Sequence, residues 1–257
     1  MHKSISMKYF KILSLYILTI ATALQGANDY EIKIKINGYK DTVCYLASYY
    51  GDQTFLKDTI EIVNGIATFK GEGSLPGGIY MFVLDADNGQ FFEFIVNEDR
   101  IYLETEYKDY INKMQVHQSK ENQLFYDYMW FLGDQRKKST QLKNELKELK
   151  KGSKKYDSKN EAIKAIDKEV EDYIQKIIVE KSEFFYAQLL KSMKRIDVPE
   201  PPRDENGAII DSNFQFKYYK SHFFDYFNLE DPRLLRTPIF KNKFNEYTKR
   251  LTSQHPD

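Results

Sequence analysis

The stretch Lys57-Asp58-Thr59-Ile60-Glu61-Ile62-Val63-Asn64-Gly65-Ile66-Ala67-Thr68-Phe69-Lys70-Gly71 decides how this chain is read. Apolar and polar residues alternate on both sides of Asn64-Gly65, which is the period of a half-buried strand. An Asn-Gly pair supplies the positive φ angles of a two-residue turn, so the pattern predicts an antiparallel hairpin in which residues 57–63 pair with 66–72. Upstream, Ile32-Lys33-Ile34-Lys35-Ile36 alternates in the same way. Downstream, Leu75-Pro76-Gly77-Gly78 turns the chain into residues 79–84, Asp87-Asn88-Gly89 into 91–96, and Asn97-Glu98-Asp99 into 101–106. About seven short strands at this spacing predict an antiparallel β-sandwich or barrel over residues 28–116.

From residue 117 the period becomes helical, which makes the fold class α+β with an all-α domain over residues 117–257. Ser119 is placed to cap a helix with Leu124, Tyr128, Phe131 and Leu132 on one face, and Gly133 to end it. Leu142, Leu146 and Leu149 continue a second stripe to Gly152-Ser153. A third helix, over about residues 160–194, repeats Ile163, Ile166, Val170, Tyr173, Ile177, Phe184 and Ala187. These predict an antiparallel helical hairpin over about residues 139–194. The Pro-rich residues 198–202 form a stiff connector to aromatic-rich helices over residues 214–251. There Phe216, Tyr219, Phe223 and Phe227 recur three or four residues apart, which predicts one buried helical stripe; an aromatic platform for sugars or flat ligands is the alternative. Asp231-Pro232 and Thr237-Pro238 each place a cap before a proline at the first helical position, and Phe240, Phe244, Tyr247 and Leu251 share the last helical face.

At the N-terminus Lys3, Lys8 and Lys11 precede an apolar run of 13 residues, ILSLYILTIATAL, over residues 12–24. That is too short to span a bilayer. With Ala21-x-Ala23 and Ala27 behind it, the run has the parts of a secretory signal, which predicts a signal peptide over residues 1–27, export to the periplasm or cell envelope, and no stable membrane span afterwards. The 257 residues hold 38 basic and 38 acidic side chains; without residues 1–27 the counts are 35 and 38, a formal charge of −3. Neither balance fits a phosphate-tracking nucleic-acid binder, and no nucleic-acid partner is expected.

Constellations for chemistry are sparse. The single cysteine, Cys44, sits in Val43-Cys44-Tyr45-Leu46, without a partner for an internal disulfide or a C-x-x-C pair, and reads as a buried inert thiol. Ser221, His222 and Asp225 bring together the side-chain types of a hydrolase triad, yet neighbours on one helix cannot stand in line as nucleophile, base and orienter. His222 and Asp225 could offer two metal ligands, with a third needed from elsewhere. His2, His117 and His255 suggest no role. No catalytic, cofactor-binding or metal-binding residue is assigned, and no cofactor is expected. Residues 136–155 hold nine Lys/Arg against two acids, but the lysines fall between apolar positions at helical spacing and read as a solvated face.

The run over residues 57–71 with Pro76-Gly77-Gly78-Ile79-Tyr80 resembles the domain of unknown function that begins many exported thiol-disulfide oxidoreductases of Bacteroidota. Ser119-Lys120-Glu121-Asn122-Gln123-Leu124-Phe125, His222-Phe223-Phe224-Asp225 and Asp231-Pro232-Arg233-Leu234-Leu235-Arg236-Thr237-Pro238 are similar to the helical domain that follows it there. In that family a thioredoxin-like domain with a C-x-x-C pair comes next and carries the redox chemistry; no such pair occurs here. The resemblance therefore implies a non-catalytic envelope module whose partner is a thioredoxin-like redox domain or another envelope protein. The alternative is a ligand-binding envelope protein with an aromatic groove between sandwich and helices.

Overall fold

Period-two alternation between residues 30 and 118 builds eight strands whose apolar faces close on one another. A computed structural model describes residues 29–40, 42–51 and 53–252; the expected signal peptide, residues 1–27, lies outside them. The strands are β1 (Tyr30–Asn37), β2 (Val43–Tyr50), β3 (Gln53–Glu61), β4 (Ile66–Gly71), β5 (Gly78–Asp85), β6 (Gln90–Val96), β7 (Arg100–Glu106) and β8 (Gln115–Gln118). They form two four-stranded sheets, β4-β1-β7-β8 and β3-β2-β5-β6, which are not closed into a barrel. The sheets stack face to face. Ile32, Ile34, Phe69, Ile101 and Leu103 of the first meet Cys44, Leu46, Tyr80, Phe82 and Phe94 of the second in one buried core, and Phe69 meets Phe82 edge-on across it at 6.2 Å. One pairing departs from the expected antiparallel pattern: β1 and β7 run parallel, with Ile34 opposite Leu103.

The hairpin expected around Asn64-Gly65 is corrected. The turn itself forms: Asn64 and Gly65 have φ of 53° and 75°, and Val63 and Ile66 exchange backbone hydrogen bonds of 3.0 Å in both directions. Past that bridge the strands part into different sheets, β3 pairing with β2 (Ile60 opposite Cys44) and β4 with β1 (Phe69 opposite Ile32). A two-residue turn dictates only its own geometry. Carrying the chain from one sheet to the other lets Ile60 and Ile62 reach the core from one side while Ala67 and Phe69 reach it from the other.

The helices are α1 (Lys120–Lys147), α2 (Lys154–Glu180), α3 (Phe185–Ser192), α4 (Phe214–His222) and α5 (Pro238–Glu246), with a tight 3₁₀ turn over Pro232–Arg236. Gly133 does not end a helix. α1 runs through it for 28 residues, because one glycine costs a helix interior only about 1 kcal/mol and the apolar stripes on either side share one partner, α2. The hairpin therefore pairs α1 with α2 from residue 120 to 180 rather than from 139 to 194, and the expected third helix is divided between α2 and α3. The aromatic stripe is corrected in part: α4 stops at His222, leaving Phe216 51% exposed, whereas Phe223 and Phe227 are buried by the turns that follow. Of the expected last helical face, Phe244 on α5 is exposed, while Leu251, at the end of the π-helical turn Tyr247–Leu251 that follows, is buried.

In sheet β3-β2-β5-β6, β5 and much of β6 are covered on both sides, whereas β3 is largely exposed. The sheet's inner residues face the sandwich, and Ile79 and Ile95 on its outer face join Tyr128, Ile177, Phe185, Leu189, Leu190 and Leu234 in a second core. No helix among the described residues is long and apolar enough to cross a membrane.

Candidate functional site

The segments singled out in the sequence converge where the sandwich meets the helices. α1 begins beside β6, the edge strand of its sheet, and its first turns occupy that edge. Asn122, fully buried, accepts from the Ile95 backbone N–H and donates to the Ile95 carbonyl, both at 2.8 Å, so its amide stands in for a neighbouring strand. One turn on, the Tyr126 hydroxyl donates to the Glu93 carbonyl at 2.7 Å. Ser119 caps the helix: its Oγ accepts from the Asn122 N–H at 3.0 Å and donates to the Glu98 carboxylate, which also accepts the Lys120 N–H at 2.9 Å.

Glu121 is the buried carboxylate of this joint. It accepts from the backbone N–H groups of Phe185 at 2.7 Å and Tyr186 at 3.2 Å, at the start of α3, and from the Asn97 side chain at 2.8 Å. The residue before α3, Phe184, offers no side-chain cap, so Glu121 supplies the acceptor and the negative charge that a helix N-terminus favours, from a different helix. Burial raises its pKa, and the N–H donors oppose that rise. Arg233 closes the arrangement. Its guanidinium lies 4.7 Å from the Phe185 ring centre, binds Asp231 through Nε at 2.9 Å and Nη2 at 2.7 Å, and donates to Asn97 at 3.1 Å. Burial pushes the Asp231 carboxyl up, but the Arg233 donors outweigh it and leave it below its ordinary value.

The Pro76-Gly77-Gly78 turn is glycine-rich because the 3₁₀ turn seats on it. A Cβ on Gly77 would come 2.9 Å from the Arg233 side chain, and one on Gly78 would come 2.4 Å from Arg236 Cβ and 3.0 Å from the Arg236 carbonyl. Asp231 caps this turn by accepting from the Arg233 N–H at 3.0 Å. Thr237, expected as a cap for α5, instead donates its hydroxyl to the Leu234 carbonyl at 2.7 Å. Each polar group described in this joint is held by protein partners.

The other candidates stay apart from it. His222 Nδ1 lies 2.7 Å from Asp225 Oδ2 on the exposed end of α4, with the His222 ring 4.1 Å from that of Tyr218. Ser221 donates to the Tyr218 carbonyl rather than to His222. Among the described residues no group of three or more His, Cys, Asp or Glu side chains could hold a metal. Cys44 is buried, and burial pushes its thiol up to about 12. His117 pairs with Glu104 at 3.0 Å on the outer face of β7-β8. Between β6, the 107–114 turn and α1 lies a cavity of about 290 Å³ lined by Phe91, Phe92, Tyr110, Phe125, Tyr126 and Met129, among others. The Tyr110 hydroxyl is buried beside it without a hydrogen-bond acceptor, and burial raises its pKa while the nearby Lys108 N–H opposes that rise.

Asn122, Glu121, Asn97 and Arg233 were not singled out individually in the sequence. The one signal was the cap pattern at Ser119, which locates a helix start but not what the next polar residues bind.

Residues 30–125, from the first residue of β1 to the second turn of α1, match the model of a protein family described as "Domain of unknown function (DUF4369)". No curated protein matches the chain, and no solved structure does. The matched segment thus holds the whole sandwich together with the Ser119, Glu121 and Asn122 contacts that tie it to the helices.

Proposed function

We propose that this chain is a non-catalytic, exported envelope module that holds and presents a thioredoxin-like redox domain, encoded in the same gene or on another polypeptide. The observation that supports this reading is the joint itself. The motif residues Gly77, Gly78, Glu121, Asn122, Asp231 and Arg233 all serve to bind sandwich and helices into one body. A platform of this kind positions a partner without touching its substrate. Cys44, with its thiol pushed up to about 12 by burial, supplies no thiolate near neutral pH.

Insulin reduction with dithiothreitol as electron source tests the first half: the full chain and Cys44→Ser should both run at background, and a rate above background that Cys44→Ser abolishes overturns it. The gene downstream of codon 257 tests the second half. An in-frame or adjacent thioredoxin-like reading frame with C-x-x-C supports the redox partner, and unrelated neighbours contradict it.

A second reading, binding of an apolar ligand, is favoured by the aromatic cavity at β6. At about 290 Å³ it sits just below the usual size of small-molecule sites and would suit a single-ring compound. Trp130, whose ring centre is 6.3 Å from that of Tyr126, should report such binding through its fluorescence.

A further inference from the structure

The α1–α2 hairpin segregates charge. Residues 136–159 carry ten basic against three acidic side chains, whereas the rest of residues 29–252 carries 25 against 34. The last buried side chain of α1 is Gln135 and the first of α2 is Ile163, so no side chain between them is buried. At about 1.5 Å per residue, Lys147 stands roughly 18 Å beyond Gln135. That is about two screening lengths at physiological ionic strength, so the acidic body barely weakens the field at the tip. Within this arm Lys159 pairs with Glu145 across the hairpin, and Lys147 donates to Asn144 at 2.9 Å. Lys150, Lys151, Lys154 and Lys155 at the tip are exposed, and among the described residues they make no ion pair with an acidic side chain. The half-buried Leu149 and Tyr156 flank the turn they occupy.

We propose that this tip is an electrostatic docking surface for the anionic phospholipid headgroups of a bilayer. Clusters of four or more lysines are attracted to such surfaces, and with acidic charge concentrated in the body the molecule is oriented tip first. The chemistry of the patch favours lipid over nucleic acid. Nine of its ten basic residues are lysines, point charges rather than the planar forks that grip single phosphates. Tyr156 is the only aromatic residue between 136 and 159, which leaves no platform for stacked bases. The proposal goes beyond the redox-module reading and does not depend on it.

Vesicle cosedimentation of the full chain tests it, with phosphatidylcholine vesicles against vesicles containing phosphatidylglycerol, at low and high salt, beside a variant in which Lys150, Lys151, Lys154 and Lys155 are replaced by Gln. Lysine and glutamine have similar helix propensity and these side chains are exposed, so circular dichroism and melting should be unchanged. The apolar residues 12–24 are common to both proteins and insensitive to salt, so the difference between parent and variant reads the tip. Expected is a difference between parent and variant on anionic vesicles only, abolished at high salt and about three orders of magnitude in affinity at low salt. The proposal is overturned if the variant binds as the parent does, if the difference between them survives high salt, or if the parent prefers duplex DNA to anionic vesicles at the same salt.

Discussion

Replacing Asn122 by Ala removes one amide from the joint and leaves its partners behind. The Ile95 N–H and C=O, each bonded to that amide at 2.8 Å, then lose their partners, and Ser119 Oγ loses a donor at 2.8 Å. Leaving a buried polar group unpaired costs about 1–3 kcal/mol. Two backbone groups at the low to middle part of that range give about 3 kcal/mol, a large fraction of a typical domain stability of roughly 5–15 kcal/mol. Asn122→Asp should cost at least as much, because a carboxylate accepts from the Ile95 N–H but cannot donate to the Ile95 carbonyl, and it would place a further charge beside the buried Glu121. Urea unfolding followed by circular dichroism and by fluorescence of the single tryptophan, Trp130, measures the loss. Trp130 sits in α1 and donates to the Ile111 carbonyl at 2.7 Å, so it reads the same joint. A loss below about 0.5 kcal/mol, the range of an ordinary surface substitution, would refute the reasoning.

Three further outcomes are expected. Gly133→Ala should stabilise the protein by about 0.4–1 kcal/mol, since Gly133 lies within α1 and an added Cβ meets nothing within 4 Å; a lower melting temperature would contradict the continuous helix. Phe223→Ala should cost about 3–5 kcal/mol, because that ring is 1% exposed among Tyr219, Phe224 and Tyr247, whereas Phe216→Ala should change stability by less than about 0.5 kcal/mol; equal effects in denaturant would contradict the packing. On the acid side, Lys33 and Lys70 hold the Glu31 carboxyl at about 2, and Lys35, Asn37 and His117 hold that of Glu104 at about 2. A carboxylate held below its unfolded value stabilises the fold only while ionised. Stability should therefore be full above about pH 4.5 and fall from there toward pH 2, by on the order of 1 kcal/mol for each group because the lysine partners are solvent-screened. Buried Glu121, whose pKa is raised, works in the opposite direction. Glu104→Gln should flatten the acid limb of a stability–pH profile, and an unchanged limb would remove Glu104 from this account.

The sandwich was legible because alternation and turn chemistry are local, and the helical positions from Ser119 onward were legible because an apolar stripe needs only its own helix. What lay beyond the sequence was set by distant partners. Asn64-Gly65 announced a turn but not that its two arms belong to different sheets, since that depends on β1 and β2 competing for them. Gly133 carried the mark of a helix end, and packing of α1 on α2 overrode it. The stripe from Phe216 to Phe227 assumed a helix longer than α4. Glu121 and Asn122 read as ordinary polar residues of a first helical turn. Their burial becomes visible only once β6 and α3 are in place 27 and 64 residues away in sequence.

The central claim is that the joint makes sandwich and helices one body, and differential scanning calorimetry of the full chain tests it most directly. A single transition whose calorimetric and van't Hoff enthalpies agree is the expected result. Two resolved transitions, or a calorimetric enthalpy well above the van't Hoff value, would show that residues up to Gln118 and from Lys120 onward unfold apart, and would contradict the claim.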